Sequence, residues 1–184
     1  DKVLEIGTGW GSFALHAAKN YGCHVTTTTI SDNQFSYVSD LISKENLCSQ
    51  ITLLNRDYRE LEGSFDKIVS IEMIEAVGHD HVSGFFNKVS SLLRPSGLMA
   101  LQGITYNDPD FETYKNSVDF VKKYIFPGGC LVSVTQIKES IKAKTDLTLV
   151  EVDDITQHYA RTVKYWRKDF IKALPQIRSL GFSE

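Results

Sequence analysis

Cysteine is scarce in this 184-residue chain: Cys23, Cys48 and Cys130 are the only three, and no two share a paired spacing. That excludes a disulfide framework and a cysteine-built zinc site. A reducing, cytoplasmic location is the matching expectation. Histidine does not fill the gap, because His79, His81 and His158 do not form a ligand set; no metal is expected. An excess of charge of one sign is also missing. Lys and Arg number 20 against 23 Asp and Glu, a formal net charge of −3, which gives no reason to expect nucleic acid as a partner. No apolar run approaches the roughly 18–20 residues that a membrane-spanning helix needs. Internal repeats, low-complexity tracts and linkers are lacking too. What remains is an ordinary globular composition, 42% hydrophobic, so residues 1–184 read as one domain able to bury a core. The chain opens inside a strand pattern and stops straight after a helical one, and it is expected to be a fragment truncated at both ends.

Strand and helix signals alternate from the first residue. Val3–Ile6, Val25–Ile30, Ile51–Leu54, Phe65–Ile71 and Leu98–Thr105 read as strands, and Leu147–Val152 as a sixth. Between them lie helical patterns at Trp10–Asn20, after the capping box Ser31-Asp32-Asn33-Gln34, and from Val82 to Leu93, where Arg94-Pro95-Ser96-Gly97 stops the helix. A helix is predicted around Thr113–Tyr124 within an inserted, substrate-side segment at about 107–132. Ser133-Val134-Thr135-Gln136 is a second capping box, and Thr156–Leu174 reads as a long helix. This order predicts an α/β fold, a doubly wound and mostly parallel sheet. Ligands of such sheets bind beyond the carboxyl ends of the strands. Gly7–Gly11, Thr29–Gln34, Arg56–Arg59 and Glu72–Gly78 should therefore converge.

Gly7-Thr8-Gly9-Trp10-Gly11 is a G-x-G-x-G turn between strand and helix, which lets a ligand approach the backbone closely. A dinucleotide fingerprint would set its third glycine one position later and end the second strand in an acid. Here that strand ends Thr26-Thr27-Thr28-Thr29-Ile30, so both features weigh against a nicotinamide dinucleotide. Two readings of Gln34 stand side by side, a capping residue and a ligand contact. Asp57 reads equally as a surface turn residue.

These residues carry a resemblance. Val3-Leu4-Glu5-Ile6-Gly7-Thr8-Gly9-Trp10-Gly11 resembles the first motif of class I S-adenosylmethionine (SAM)-dependent methyltransferases, in the form found in the cyclopropane-fatty-acid synthase family. Thr29-Ile30-Ser31-Asp32-Asn33-Gln34 is similar to that family's T-x-S-x-x-Q. Three further stretches resemble other segments of the same family: Glu72–Gly78, Tyr124-Ile125-Phe126-Pro127-Gly128-Gly129-Cys130-Leu131, and His158-Tyr159-Ala160-Arg161-Thr162 with Trp166 and Phe170. The first motif and these last three segments, four in register, run through nearly the whole chain. The resemblance implies a Rossmann-like methyltransferase fold that normally closes with a seventh strand, lacking here. It implies that SAM meets Gly7, Gly9, Trp10 and Gly11 at its methionine and ribose end. Thr29 and Gln34 would take the ribose side, and Asp57, Tyr58 and Arg59 would lie near the adenine.

The same resemblance implies the chemistry: methyl transfer to the double bond of an unsaturated phospholipid acyl chain, then proton loss and closure of a cyclopropane. It implies a bound bicarbonate as proton acceptor, held by Glu75, Tyr159, Gln102 and the backbone at Ile104. The family often has His where Ala76 and Gln102 stand, and Gln can donate a hydrogen bond but cannot titrate. Structural readings remain beside each role. Glu75 can cap the next helix or pair with a lysine, and Tyr159 continues the apolar stripe Val163–Trp166–Phe170. Cys130 reads as a buried hydrophobe. Lys122 and Lys123 are readable as headgroup contacts or as solvated lysines. The enzyme is expected to be peripheral at the membrane. Methylation of another lipid or small molecule, and SAM or lipid binding without turnover, are the alternatives.

Overall fold

The computed structural model describes residues 1–182. They group into two compact units, one spanning Asp1–Thr148 and a second beginning at Leu149. The first opens with β1 (Lys2–Ile6), α1 (Ser12–Tyr21), β2 (His24–Thr29), α2 (Asp32–Lys44), β3 (Ile51–Asn55), β4 (Phe65–Ile71), α3 (Val82–Leu92) and β5 (Leu93–Gln102). The strands lie in the order β3-β2-β1-β4-β5, and every neighbouring pair is parallel. This is the doubly wound sheet that the alternation predicts.

Both faces of the sheet are covered, which parallel sheets require. Side chains alternate along β1, so Val3 joins Val25, Ile51, Ala14, Leu15, Val38 and Ile42 under α1 and α2. Leu4 and Ile6 point the other way, into a core with Ile68, Phe85, Phe86 and Val89. Phe85 and Phe86 meet edge to face at 5.3 Å. Each is fully buried, and such burial contributes about 1.5–3 kcal/mol.

The strand β5 begins earlier than the sequence pattern indicates. Leu93 pairs with Phe65, and the next pairing, Lys67 with Leu98, shows a register shift. The turn Arg94–Gly97 is thus a bulge in the strand, with Ser96 at φ 63°. After β5 come β6 (Thr105–Tyr106), α4 (Phe111–Lys115), β7 (Val132–Ser133) and α5 (Val134–Lys144), with β6 and β7 paired in parallel. The helix predicted around Thr113–Tyr124 is broken. Asn116 Nδ2 donates to Glu112 O and Ser117 Oγ to Tyr114 O, ending α4, and the chain resumes as a π-helical turn at Val121–Ile125. Such local side-chain bonds compete with helix continuation. Tyr106 stacks on Tyr114 at 4.1 Å, and Cys130 is buried beside them, its thiol pushed up by burial. Lys122 is occupied here: its Nζ donates to Tyr114 O and Ser117 O and lies 3.7 Å from the Tyr114 ring.

The predicted sixth strand, Leu147–Val152, does not form. These residues have no regular structure, and Val150 and Val152 are exposed. β-Branched residues favour a strand only where a neighbouring ladder receives them, and none does here. In the second unit, α6 (Thr156–Ser179) runs past Pro175 and beyond the predicted end at Leu174. Tyr159 meets Trp166 edge to face at 6.1 Å on this helix.

Candidate active site

The sheet order puts β1 between β2 and β4, so the chain leaves β1 for one side and later returns to the other. The ends of β1 and β4 form the topological switch point. The glycine turn follows β1 there. Gly7 has φ 101°, and a Cβ on it would lie 3.2 Å from Met73 Cβ and Cγ in the turn after β4. Gly11 has φ 85°, and a Cβ there would come within 2.9 Å of Leu15 Cδ1 and 3.1 Å of Val38 Cγ1 on α2. These two glycines are dictated by packing as well as by backbone conformation. Gly9 differs, since a Cβ built on it meets nothing within 4 Å. The open side of the turn is at Gly9.

Hydrogen bonds tie the turn to the neighbouring strand ends. The N–H groups of Gly7 and Thr8 both donate to Thr28 O, at 3.1 and 2.9 Å. Thr28 Oγ1 donates to Arg56 O at 2.6 Å. Beyond β2, Ser31 caps α2 by accepting from Gln34 N. The Gln34 side chain does not return the bond as a capping box would. Thr29 Oγ1 donates to Gln34 Oε1 at 2.8 Å and accepts from Ser31 N. Gln34 is thus held by Thr29, with its amide N–H groups left to donate elsewhere. Trp10 is exposed and meets Tyr37 edge to face at 5.4 Å.

After β3, Asp57 accepts from Arg59 N and Nε, both at 2.9 Å. The Arg59 guanidinium holds the Asp57 carboxyl below its ordinary range. Tyr58 turns inward, packing edge to face on Phe85 at 5.5 Å, and burial pushes its phenol up.

The turn after β4 carries Glu75. Its Oε1 accepts the Ile104 N–H from the end of β5 at 2.6 Å. Its backbone carbonyl accepts the Cys130 N–H at 2.9 Å, which joins the Phe126–Gly129 turn to the same place. A Cβ on Gly103 would lie 3.5 Å from Glu75 Oε1 and 2.9 Å from Ile74 Cγ2, so that residue must be small. Glu75 Oε2 is buried and, among the described residues, has no hydrogen-bond partner. A buried carboxylate oxygen left this way calls for a donor, from water or a ligand. Gln102 turns elsewhere: its Nε2 donates to Glu72 Oε1 at 3.0 Å. Glu72 is held at φ 51° with its N–H on Gln102 O at 2.8 Å.

The structure therefore brings together the glycine turn, Thr29, Gln34, Asp57, Glu75 and Ile104 along one end of the sheet. Tyr159 belongs to the second unit, on α6. Sequence reasoning missed Glu5, which is buried in β1 and accepts from Thr27 Oγ1 at 2.6 Å. Burial pushes its carboxyl from 4.5 up to about 7. An acid inside an apolar strand was the available signal. Among the described residues no group of His, Cys, Asp and Glu could hold a metal, and no helix is long and apolar enough to cross a membrane.

A parallel sheet in this order, with a glycine turn at its switch point, defines a Rossmann-like fold of the class I methyltransferase type. The comparisons agree. The chain superimposes on the cyclopropane synthase MmaA2 from Mycobacterium tuberculosis with a TM-score of 0.86 and 26% identity, covering 97% of this chain and 66% of that one. The structure of the mycolic acid cyclopropane synthase CmaA1 complexed with SAH and CTAB matches with a TM-score of 0.87 and 28% identity, over the same shares. The family model for mycolic acid cyclopropane synthetase matches residues 1–184. The chain belongs to that family. It is 35% identical to the tuberculostearic acid methyltransferase UfaA1 of Mycobacterium tuberculosis over 182 residues, 99% of this chain and 42% of the relative. It is likewise 35% identical to the cyclopropane-fatty-acyl-phospholipid synthase of Escherichia coli K12, over 96% of this chain and 44% of the relative. The chain thus spans less than half the length of these relatives.

Proposed function

We propose that the protein is a SAM-dependent methyltransferase that acts on the double bond of unsaturated phospholipid acyl chains and forms cyclopropane fatty acids. The observation that carries this reading is Glu75. One oxygen is fixed by the Ile104 N–H, and the other is buried with no partner among the described residues.

Bound here, SAM supplies a methyl electrophile and bicarbonate supplies a base. An isolated alkene is a poor nucleophile, so the chain's task is to hold it in line with that methyl. Attack would form a carbon–carbon bond as the methyl–sulfur bond breaks and the thioether leaves, and the cation left on the lipid must be kept from water. Loss of a proton from the added methyl then closes the ring, and the acceptor must be fixed in place. A carboxylate beside an anion is unfavourable unless a proton lies between them. Glu75 Oε2, which has no partner among the described residues, would hold a bound bicarbonate by accepting its O–H. In this reading Ile104 orients Glu75, while the Gln102 amide stays with Glu72. Gly7, Gly9, Trp10, Gly11, Thr29, Gln34, Asp57 and Arg59 bind SAM. Tyr58 supports the adenine end from the core side through its contact with Phe85. In this reading the 107–132 segment lies on the substrate side, at the cytoplasmic face of a membrane.

Incubation of the protein with SAM and vesicles of unsaturated phospholipid tests the proposal. A lipid mass gain of one CH₂ with loss of the olefinic proton signal is expected. Gain with the double bond kept would point to a second reading, methylation without ring closure. One observation favours that reading: Gln102, which cannot titrate, is committed to Glu72. Saturable SAM binding with no transfer to any lipid would overturn both.

A further inference from the structure

The glycine turn is connected to a buried acid that the chemistry above does not use. Glu5 on β1 pairs across the sheet with Thr27 on β2. Thr27 Oγ1 donates to Glu5 Oε2 at 2.6 Å, and Thr27 Oγ1 and Thr8 Oγ1 are 2.7 Å apart. All three side chains are buried. Thr8 is the second residue of the glycine turn, and its own N–H is held by Thr28 O. A continuous chain of hydrogen bonds therefore runs from a carboxyl inside the sheet to the backbone of the turn.

We infer that Glu5, Thr27 and Thr8 form a positioning relay that sets the conformation of the glycine turn and, through it, its fit to SAM; this rests on the methyltransferase reading.

The direction of the hydroxyls gives the relay its content. A hydroxyl has one hydrogen to donate. While Glu5 is ionised, Thr27 gives its hydrogen to the carboxylate, so Thr8 must give its own to Thr27. When Glu5 takes up a proton the order can reverse: carboxyl to Thr27, Thr27 to Thr8, with the Thr8 hydrogen released to the turn. The protonation state of Glu5 is thereby transmitted to the residue between Gly7 and Gly9 without movement of the strands. Its surroundings leave this carboxyl without a countercharge. The neighbouring strands present Thr27 and Val69 opposite it. Lys67 lies two residues from Val69 along β4, opposite Val3. His16 and Lys19 on α1 and Asp40 and Lys44 on α2, the helices over that face, are exposed. Burial accordingly pushes Glu5 up to about 7, where a change in pH throws the relay.

The test is a proton–nitrogen correlation titration of the protein, following the amides of Thr8 and Gly9 from pH about 5.5 to about 8.5. In the wild type these amides should shift together with a midpoint at about 7. Glu5→Gln and Thr27→Val should flatten the curve. Thr8→Val should remove the response of Gly9, and Thr8→Ser, which keeps the hydroxyl, should restore it. A merely structural role would not produce this pattern. SAM affinity follows: its ratio between pH about 6 and about 8 should differ between wild type and Glu5→Gln by about fivefold, a typical coupling between sites. The titration of SAM's own amine is common to both and cancels. Turn amides that do not titrate in the wild type, or that titrate alike in Glu5→Gln, overturn the relay. Glu5→Gln is close to isosteric, so the result stands even where Thr27→Val fails to fold. Loss of SAM binding in every form, with the amide titration intact, counts against the methyltransferase reading alone.

Discussion

The Ile104 N–H, at the end of β5, donates across 2.6 Å to Oε1 of Glu75, in the turn after β4. This bond fixes the carboxylate so that its second oxygen is buried and available. Glu75→Gln can keep its one amide oxygen as the acceptor for Ile104, which puts an NH₂ donor in place of the second oxygen. Methyl transfer to lipid should fall by about 10²–10⁴, the usual share of a positioned acid–base group. SAM affinity by calorimetry should be unchanged. A parallel loss of SAM binding would assign Glu75 to the fold of the turn.

Gly11 and Gly9 of the turn should respond differently to alanine. At Gly11 the new Cβ meets Leu15 and Val38 at 2.9–3.2 Å with φ at 85°. Gly11→Ala should therefore lower stability by about 1–3 kcal/mol, as overpacking does. Gly9→Ala meets no neighbour within 4 Å and bears only the left-handed backbone cost, about 1–2 kcal/mol. Its larger effect should be on SAM, whose affinity falls because the methyl takes the ligand's side of the turn. Denaturant unfolding and calorimetry on both variants separate the two effects.

Ser31 and Gln34 divide the capping and binding roles that the sequence merges. Ser31 caps α2 through Gln34 N, and Thr29 holds the Gln34 side chain. Ser31→Ala should cost about 1 kcal/mol of stability. Gln34→Ala leaves the cap bond in place, since the donor is main chain, and should weaken SAM binding with little change in Tm. Equal stability losses in both variants would return Gln34 to a capping role.

Glu5 makes stability depend on pH with a definite sign. Its folded value of about 7 lies above the ordinary 4.5, so between these values the folded chain keeps a proton that the unfolded chain has released. The contribution is fully present below 4.5 and is lost as pH rises to about 7. Glu5→Gln removes the buried charge. Its Tm relative to wild type should be higher at pH about 8 than at pH about 4, by the equivalent of about 3 kcal/mol, the value of two to three pKa units. A difference that does not vary with pH would contradict this.

Much of this site was legible in the chain order because its signals are local. The glycine turn, the Thr29–Gln34 segment and Glu75 each follow a strand within a few residues, and the parallel alternation fixes which end of the sheet they share. What was not legible depends on cross-strand neighbours. Glu5 finds Thr27 only through the β1–β2 register, 22 residues away. Gln102 finds Glu72 only because β4 and β5 end together. Leu147–Val152 has the composition of a strand, yet a strand needs a partner ladder, and composition does not reveal its absence. Tyr58 shares a turn with Asp57 and Arg59, but only the packing on Phe85 shows that its ring faces the core.

A structure of the protein with S-adenosylhomocysteine tests the central claim most directly. The account predicts the nucleoside across the Gly7–Gly11 turn, its ribose on Gln34, its adenine beside Asp57 and its sulfur facing Glu75. A ligand bound at any other face, or no saturable binding at all, would contradict it.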